Sequence, residues 1–251
     1  MTVKRAIHPD DKPPASLKLP YLYHALAPLV PERHSAFHLA QKRHYGFAAK
    51  ANAIPLTMDE FPVAQRHYPI VITGDTEPMP VALMGTEKGI NPQVDADGNW
   101  AADKYIPAYL RRYPFMLIKE KQDSDNMVLC ADVTSVQFSE RKTDGAALFE
   151  EGKGSEVMDE AVEFARRFEG ALSRTRAAMT EFKSHDLIED SSVTISRGEK
   201  RVRLEGFKML SEERMRNLPD ETLAAMAKRG LIHILAAHHI SLSGFSGFAK
   251  G

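Results

Sequence analysis

The spacing of apolar residues changes near Gly152. Before it, apolar positions come in short runs or alternate, the period-2 pattern of strands, broken every few residues by Pro or Gly. Tyr68–Thr73 and Pro80–Met84 read as β-branched or buried strands, with Gly74 and Pro78 in the connection. Val94 leads into the Asp97-Gly98 step, a tight-turn signal that returns at Trp100. Phe115–Ile118 and Met127–Ala131 read as two further strands. Short helices are expected at Thr57–His67, with Pro62 in the first turn, and at Tyr105–Arg112, which Pro114 stops. His34–Ala40 fits strand or helix equally.

Beyond Gly152 the period becomes helical. Met158, Ala161, Ala165, Phe168, Leu172, Thr175, Met179 and Phe182 fall alternately three and four apart, which predicts one amphipathic helix over Ser155–Lys183. Ala and Thr in the stripe suit a helix lying on its own domain better than a coiled-coil seam. Ser192–Ile195 and Arg201–Leu204 flank Arg197-Gly-Glu-Lys200, a plausible hairpin. Ser211 then caps one helix, Pro219 opens a second that ends at Gly230, and Leu231–Ser241 forms the last. The pattern predicts an α+β fold: a β-rich N-terminal half with short inserted helices, then a long amphipathic helix with a helical C-terminal region packed on it. Residues 1–18, rich in Pro and charge, read as a flexible arm, and Gly-rich residues 244–251 are expected to fray.

Composition narrows the function classes. Lys and Arg number 33 against 34 Asp and Glu, for a net charge of −1, so no global field draws in nucleic acid. No stretch approaches the ~20 apolar residues of a membrane span. The N-terminus lacks the apolar core of a secretory signal, so the expectation is a cytoplasmic protein, or one exported to the surface by a signal-independent route. The single cysteine, Cys130, excludes an internal disulfide and reads as a buried strand residue.

The candidate chemistry is sparse. His34, His38 and His44 invite a metal reading, but no HExxH and no carboxylate at a ligand spacing accompanies them. His8-Pro-Asp10 matches only part of an iron triad, and His233, His238 and His239 sit on an apolar helix, where core or interface histidines are the ordinary reading. Asp95–Asn99 begins like a calcium loop, but its glycine is misplaced and Ile106 stands where the loop needs Glu. Gly152-Lys-Gly-Ser155 is not a phosphate loop; it reads as a helix entry. Neither a metal nor a cofactor is expected. The best ligand or partner site is Arg111 and Arg112 beside Trp100, Tyr105 and Tyr109. Arg offers planar paired donors, and the aromatics offer stacking surface. His34 could then serve as a general base.

One segment also identifies relatives. Trp100–Phe115, above all Tyr105-Ile-Pro-Ala-Tyr-Leu-Arg-Arg-Tyr-Pro-Phe115, resembles the signature of the SapC family of bacterial proteins. Pro55-Leu56, Glu60-Phe61, Tyr68–Val71, Gly89-Ile-Asn91, Leu204–Phe207 and Gly230–Leu242 fit the same pattern in order. Pro92-Gln93, Ile72-Thr73 and the histidines near 38–44 depart from it. The resemblance covers residues 19–243, and a single α+β domain is expected there. Its name implies an association with the bacterial surface layer, and it implies no enzymatic role, cofactor or catalytic set. Two readings follow. The first is a non-enzymatic binding or accessory protein that meets a protein partner or its own copy. The second is an enzyme or sensor that holds a small anionic metabolite or peptide through the Arg/Tyr/Trp segment.

Overall fold

The computed structural model describes residues 19–119, 126–197 and 200–249. In chain order the elements begin with β1 (Leu26–Pro28), α1 (Pro31–His34), β2 (His38–Ala40), β3 (Ala53–Pro55), α2 (Phe61–Ala64), β4 (Ile70–Thr73) and β5 (Met79–Leu83). They continue with α3 (Ala108–Arg112), β6 (Phe115–Lys119), β7 (Met127–Asp132), β8 (Phe138–Ser139), β9 (Gly145–Ala147), β10 (Phe149–Glu150) and β11 (Lys153–Gly154). The long helix α4 (Glu156–Ser184) follows, then β12 (Ile188–Arg197), β13 (Lys200–Leu210), α5 (Glu212–Arg216), α6 (Asp220–Lys228) and α7 (Leu231–Leu242). The fold is α+β, with short antiparallel strands before the long helix and helices closing the chain. Among the described residues no helix is long and apolar enough to cross a membrane.

The chain forms two compact units. The first takes in residues through Phe47, Ala96–Asn99 and Arg111–Glu169; the second takes in Ala48–Asp95, Trp100–Leu110 and the chain from Gly170. In the first unit, two antiparallel sheets of order β1-β7-β6 and β8-β2-β9 bury Phe37, Phe115, Leu117, Leu129, Phe138 and Leu148, with Ala165 of α4 joining that core. The ambiguous His34–Ala40 segment divides: Pro31 starts a single helical turn ending at His34, and β2 begins at His38. Cys130 lies buried in β7, and burial pushes its thiol up to about 11. Gly152-Lys-Gly-Ser155 is the turn and second strand of the β10–β11 hairpin before it is a helix entry, with Glu151 and Gly152 both at positive φ.

β9 approaches β2 too closely for any side chain at Gly145. A Cβ there would stand 1.8 Å from the Leu39 carbonyl oxygen and 2.5 Å from its carbon. Both are backbone atoms, so no rotamer relieves the clash. Gly145→Ala is expected to destabilise the protein by about 3 kcal/mol, the upper part of the overpacking range. Urea unfolding should show a lower midpoint at an unchanged slope.

In the second unit a five-stranded antiparallel sheet has the order β12-β13-β4-β5-β3. The strands expected around the Arg197–Lys200 turn pair antiparallel from Ile188↔Leu210 to Arg197↔Lys200, with a register shift between Ser191 and Val193; Gly198 and Glu199 lie outside the described residues, as does the arm of residues 1–18. One sheet face packs on the C-terminal half of α4 and on α6 and α7. Ala178, Met179 and Phe182 meet Ile72, Leu210, Met226, Leu231 and Leu235. Each such fully buried large side chain contributes about 2 kcal/mol. The α4 stripe is therefore spent on intramolecular cores, and Thr175, its polar member, accepts the Met58 N–H at 2.9 Å. Ser211 caps α5 by accepting the Arg214 N–H, and Gly230 sits at φ +77° after α6, both as expected. Residues expected to fray include a 3-10 helix, Ser243–Ala249, whose Phe245 is buried and stacked on Phe207.

Candidate functional site

The first unit holds an open cleft of about 670 Å³. Its floor is apolar: Leu39 from β2, Phe115 from β6, and Val157, Ala161 and Phe164 from α4. Those α4 positions recur at helical spacing, so one face of its first turns lines the cleft. Arg43, Arg111, Arg112 and Arg167 supply cationic groups around the floor, and Tyr45 supplies a phenol. Asp159, Glu160 and Glu163 stand on the α4 side.

The segment carrying Arg43 and Tyr45 is pinned by the Asp97-Gly98 turn. Tyr45 N–H donates to the Gly98 carbonyl at 2.7 Å. Gly98 takes φ +76°, and a Cβ on it would reach within 2.2 Å of the His44 ring. The positive φ favours glycine there, and any side chain would also have to displace the exposed His44 ring. His44 Nδ1 in turn accepts the Gly46 N–H at 3.2 Å. Arg43 Nη1 donates to the Tyr113 carbonyl at 3.0 Å and to Gln137 Oε1 at 3.4 Å, which fixes its guanidinium at the cleft. Burial lowers the Arg43 pKa from its ordinary value, though not enough to discharge a guanidinium. Burial raises the Tyr45 phenol, and the nearby charges of Arg43 and Arg111 partly offset that rise.

The paired arginines of α3 play different parts. Arg112 is 3% exposed. Its guanidinium lies over the Phe168 ring at 4.4 Å and the Tyr23 ring at 5.8 Å, and Nη1 pairs with Glu169 Oε1 at 3.1 Å. It is a structural cation at the cleft wall. Arg111 is exposed, lies over the Phe164 ring at 5.4 Å from the centroid in a cation–π placement, and lines the cleft.

His34 is not a lining residue of this cleft. It is buried edge-on to Phe37, and its Nδ1 accepts the Val30 N–H at 3.1 Å. Trp100, Tyr105 and Tyr109 belong to the second unit. Trp100 and Tyr109 are buried, and Trp100 bridges Val94 across the turn. Tyr105 is half-buried and donates its hydroxyl to Glu60 Oε1 at 3.0 Å. That buried Glu60 carboxylate also accepts the Ala108 N–H at 2.7 Å, and its other oxygen takes the Thr57 N–H and hydroxyl, both at 2.9 Å. Thr57-Met-Asp-Glu60 is a capping box, a motif visible in the sequence and absent from the expectations above. Its Glu fixes the start of α3. Among the described residues no three His, Cys, Asp or Glu side chains are placed to hold a metal ion.

Of the expected site residues, the cleft therefore brings together Arg111 and Arg112. Arg43, Tyr45, Phe164 and Glu160 are additions that sequence reasoning missed. Their only linear signal is the basic and aromatic Gln41–Tyr45 stretch, which first invites a metal reading through its histidine. The rest of the site is made by tertiary contact.

Comparison with curated proteins and with solved structures gives no match. The sequence model of the SapC family matches residues 29–247, a span that takes in every residue lining the cleft. With nearly the whole chain matched, this protein belongs to the SapC family.

Proposed function

We propose that this SapC-family protein is a binding protein and not a catalyst, in the accessory role its family resemblance implies. Its ligand is a small molecule or peptide group that bears an anion, held in the first unit's cleft. The observation that carries this reading is the placement of Arg43 and Arg111 beside Tyr45 at the edge of an apolar floor. A concave, mostly apolar site of this volume with a few convergent polar groups has the character of a small-molecule pocket. Guanidiniums supply paired donors that match a carboxylate or phosphate.

The chemistry of the lining favours grip over turnover. Guanidiniums keep their protons near neutral pH, and the Tyr45 phenol is pushed further from titrating there. The Cys130 thiol is buried in β7 with its pKa raised, which removes it as a nucleophile. His34 is committed to the Val30 N–H.

Native mass spectrometry of the protein purified from its own host tests the proposal. The wild-type chain is expected to carry a small-molecule adduct that the Arg43→Ala/Arg111→Ala variant has lost. Each lost guanidinium contact to an anion should weaken binding about tenfold or more, since charge-assisted hydrogen bonds contribute about 1.5–3 kcal/mol. An adduct held equally by wild type and variant would place the ligand elsewhere.

A further inference from the structure

The five-stranded sheet of the second unit has two unlike edges. One is β3, three residues that end in Pro55; the other is β12, ten residues from Ile188 to Arg197. Among the described residues no strand pairs with the outer side of β12. An open edge turns every second residue's N–H and C=O outward, and natural proteins blunt such edges with Lys, Pro, short strands or bulges. β12 has neither Lys nor Pro and is about twice the length of an ordinary strand. The irregularity in its pairing spares it too. Ser192 alone faces Glu205 and Gly206, so β13 is the bulged strand, with Gly206 at φ +83°.

We infer that β12 is a self-association edge: it pairs antiparallel with β12 of a second copy and joins the two sheets into one, about a two-fold axis at Val193. A head-to-tail pairing of β12 with β3 could match only three residues, one of them a proline that lacks a donor. β12 against itself matches nearly its whole length, and such a like-to-like contact closes as a dimer. Charge favours the antiparallel sense. Glu189 and Asp190 lie near the start of the strand, so antiparallel pairing sets those of the two copies at opposite ends of the seam. Parallel pairing would set them side by side. Packing favours the position of the axis. Val193 is only half-buried, at the rim of a cluster with Ile195, Phe207 and Phe245, and at the axis it would be covered by its own counterpart. On the opposite face Ser192 and Thr194 are exposed, and this register sets each Ser192 against Thr194 of the other copy. Hydroxyl pairs of this kind stabilise antiparallel strands.

Sedimentation equilibrium of the full chain, from low micromolar to submillimolar concentration, tests the inference. The average mass is expected to rise from that of one chain toward that of two. Ser192→Glu/Thr194→Glu is expected to weaken association about tenfold or more, because like charges directly opposite repel and the two-fold repeats each pair. Arg203 pairs with Thr194 across the ribbon and donates to Ser192 Oγ at 3.2 Å, so the added carboxylates have a cation beside them within their own chain. Circular dichroism checks that the variant is folded. Hydrogen exchange of the wild type, dilute against concentrated, needs no variant: amides of β12 should gain protection on concentration and those of β3 should not. The inference is overturned by a wild type that keeps the mass of one chain or climbs past two. It is equally overturned by a folded variant that associates as tightly as wild type, or by protection gained away from β12.

Discussion

Replacing Asp132 by alanine is expected to cost about 4 kcal/mol of unfolding free energy, a large part of the stability of an ordinary domain. Asp132 is 0% exposed at the end of β7. One oxygen accepts the His24 N–H at 2.7 Å and the Tyr113 hydroxyl at 3.3 Å. The other accepts the Ala25 N–H at 3.3 Å, the Thr134 N–H at 3.2 Å and the Thr134 hydroxyl at 2.6 Å. A buried carboxylate is tolerable because donors surround it. Alanine would strand the buried Ala25 N–H beside a cavity, and an unsatisfied buried donor costs its full desolvation. Asparagine keeps one oxygen but turns an amide donor on other donors, so Asp132→Asn is expected to cost about half as much. Chemical denaturation of the three proteins at pH 7 measures the order wild type, Asn, Ala. An alanine variant within about 1 kcal/mol of wild type would contradict the role given to this carboxylate.

Acid should destabilise the protein through one histidine, beginning well above the range where carboxylates titrate. His238 is 0% exposed on α7, and its Nε2 accepts the Leu210 N–H of β13 at 3.1 Å. Burial first, and His239 beside it second, lower its pKa to about 3, while a backbone bond at Ile70 opposes the fall. The folded pKa thus lies below the unfolded value of about 6.5. The unfolded chain therefore binds this proton first. The native state keeps its full advantage above about pH 6.5 and loses it as pH falls toward 3. The whole effect is on the order of 4 kcal/mol, and about 2 kcal/mol of it falls between pH 6.5 and 5. His67, whose pKa is also lowered, acts in the same direction. His238→Gln keeps an acceptor for the Leu210 N–H and removes the titration. The variant should be less stable than wild type at pH 7 and lose less on acidification. Equal slopes for the two proteins between pH 6.5 and 5 would refute the assignment.

The same neighbourhood shows how much of helix α7 was legible: histidines on an apolar helix read as core or interface residues, and His238 is a core residue. The apolar run of α7 is plain in the sequence, but His238 and Ser241 act as backbone partners for the sheet: Ser241 Oγ accepts the Ile70 N–H at 2.9 Å. The linear pattern points to the burial of His238 but not to its backbone partner, the Leu210 N–H. The α4 stripe was readable because periodicity reports burial directly, and Ala165, Phe168, Thr175, Met179 and Phe182 are all buried. The turn at Gly98 was readable because Asp-Gly carries its own conformational signal, and the residue does take positive φ. The aromatic/arginine segment was read as one site by adjacency. In the fold, Tyr105 serves the Glu60 capping network, Arg112 is buried against Glu169, and Arg111 meets a cleft whose other members come from β2, the Arg43–Tyr45 loop and α4. Of that segment, only Arg111 and Arg112 line the cleft. Arg43 and Glu160 become their neighbours only through tertiary contact.

The most direct test of the central claim is chemical-shift mapping of the amide spectrum of the full chain during titration with 3-phenylpropionate. The account predicts saturable shifts centred on Arg43, Tyr45, Arg111 and Phe164, abolished in the Arg43→Ala/Arg111→Ala variant. Shifts that centre elsewhere, or a spectrum unmoved at millimolar probe, would contradict it.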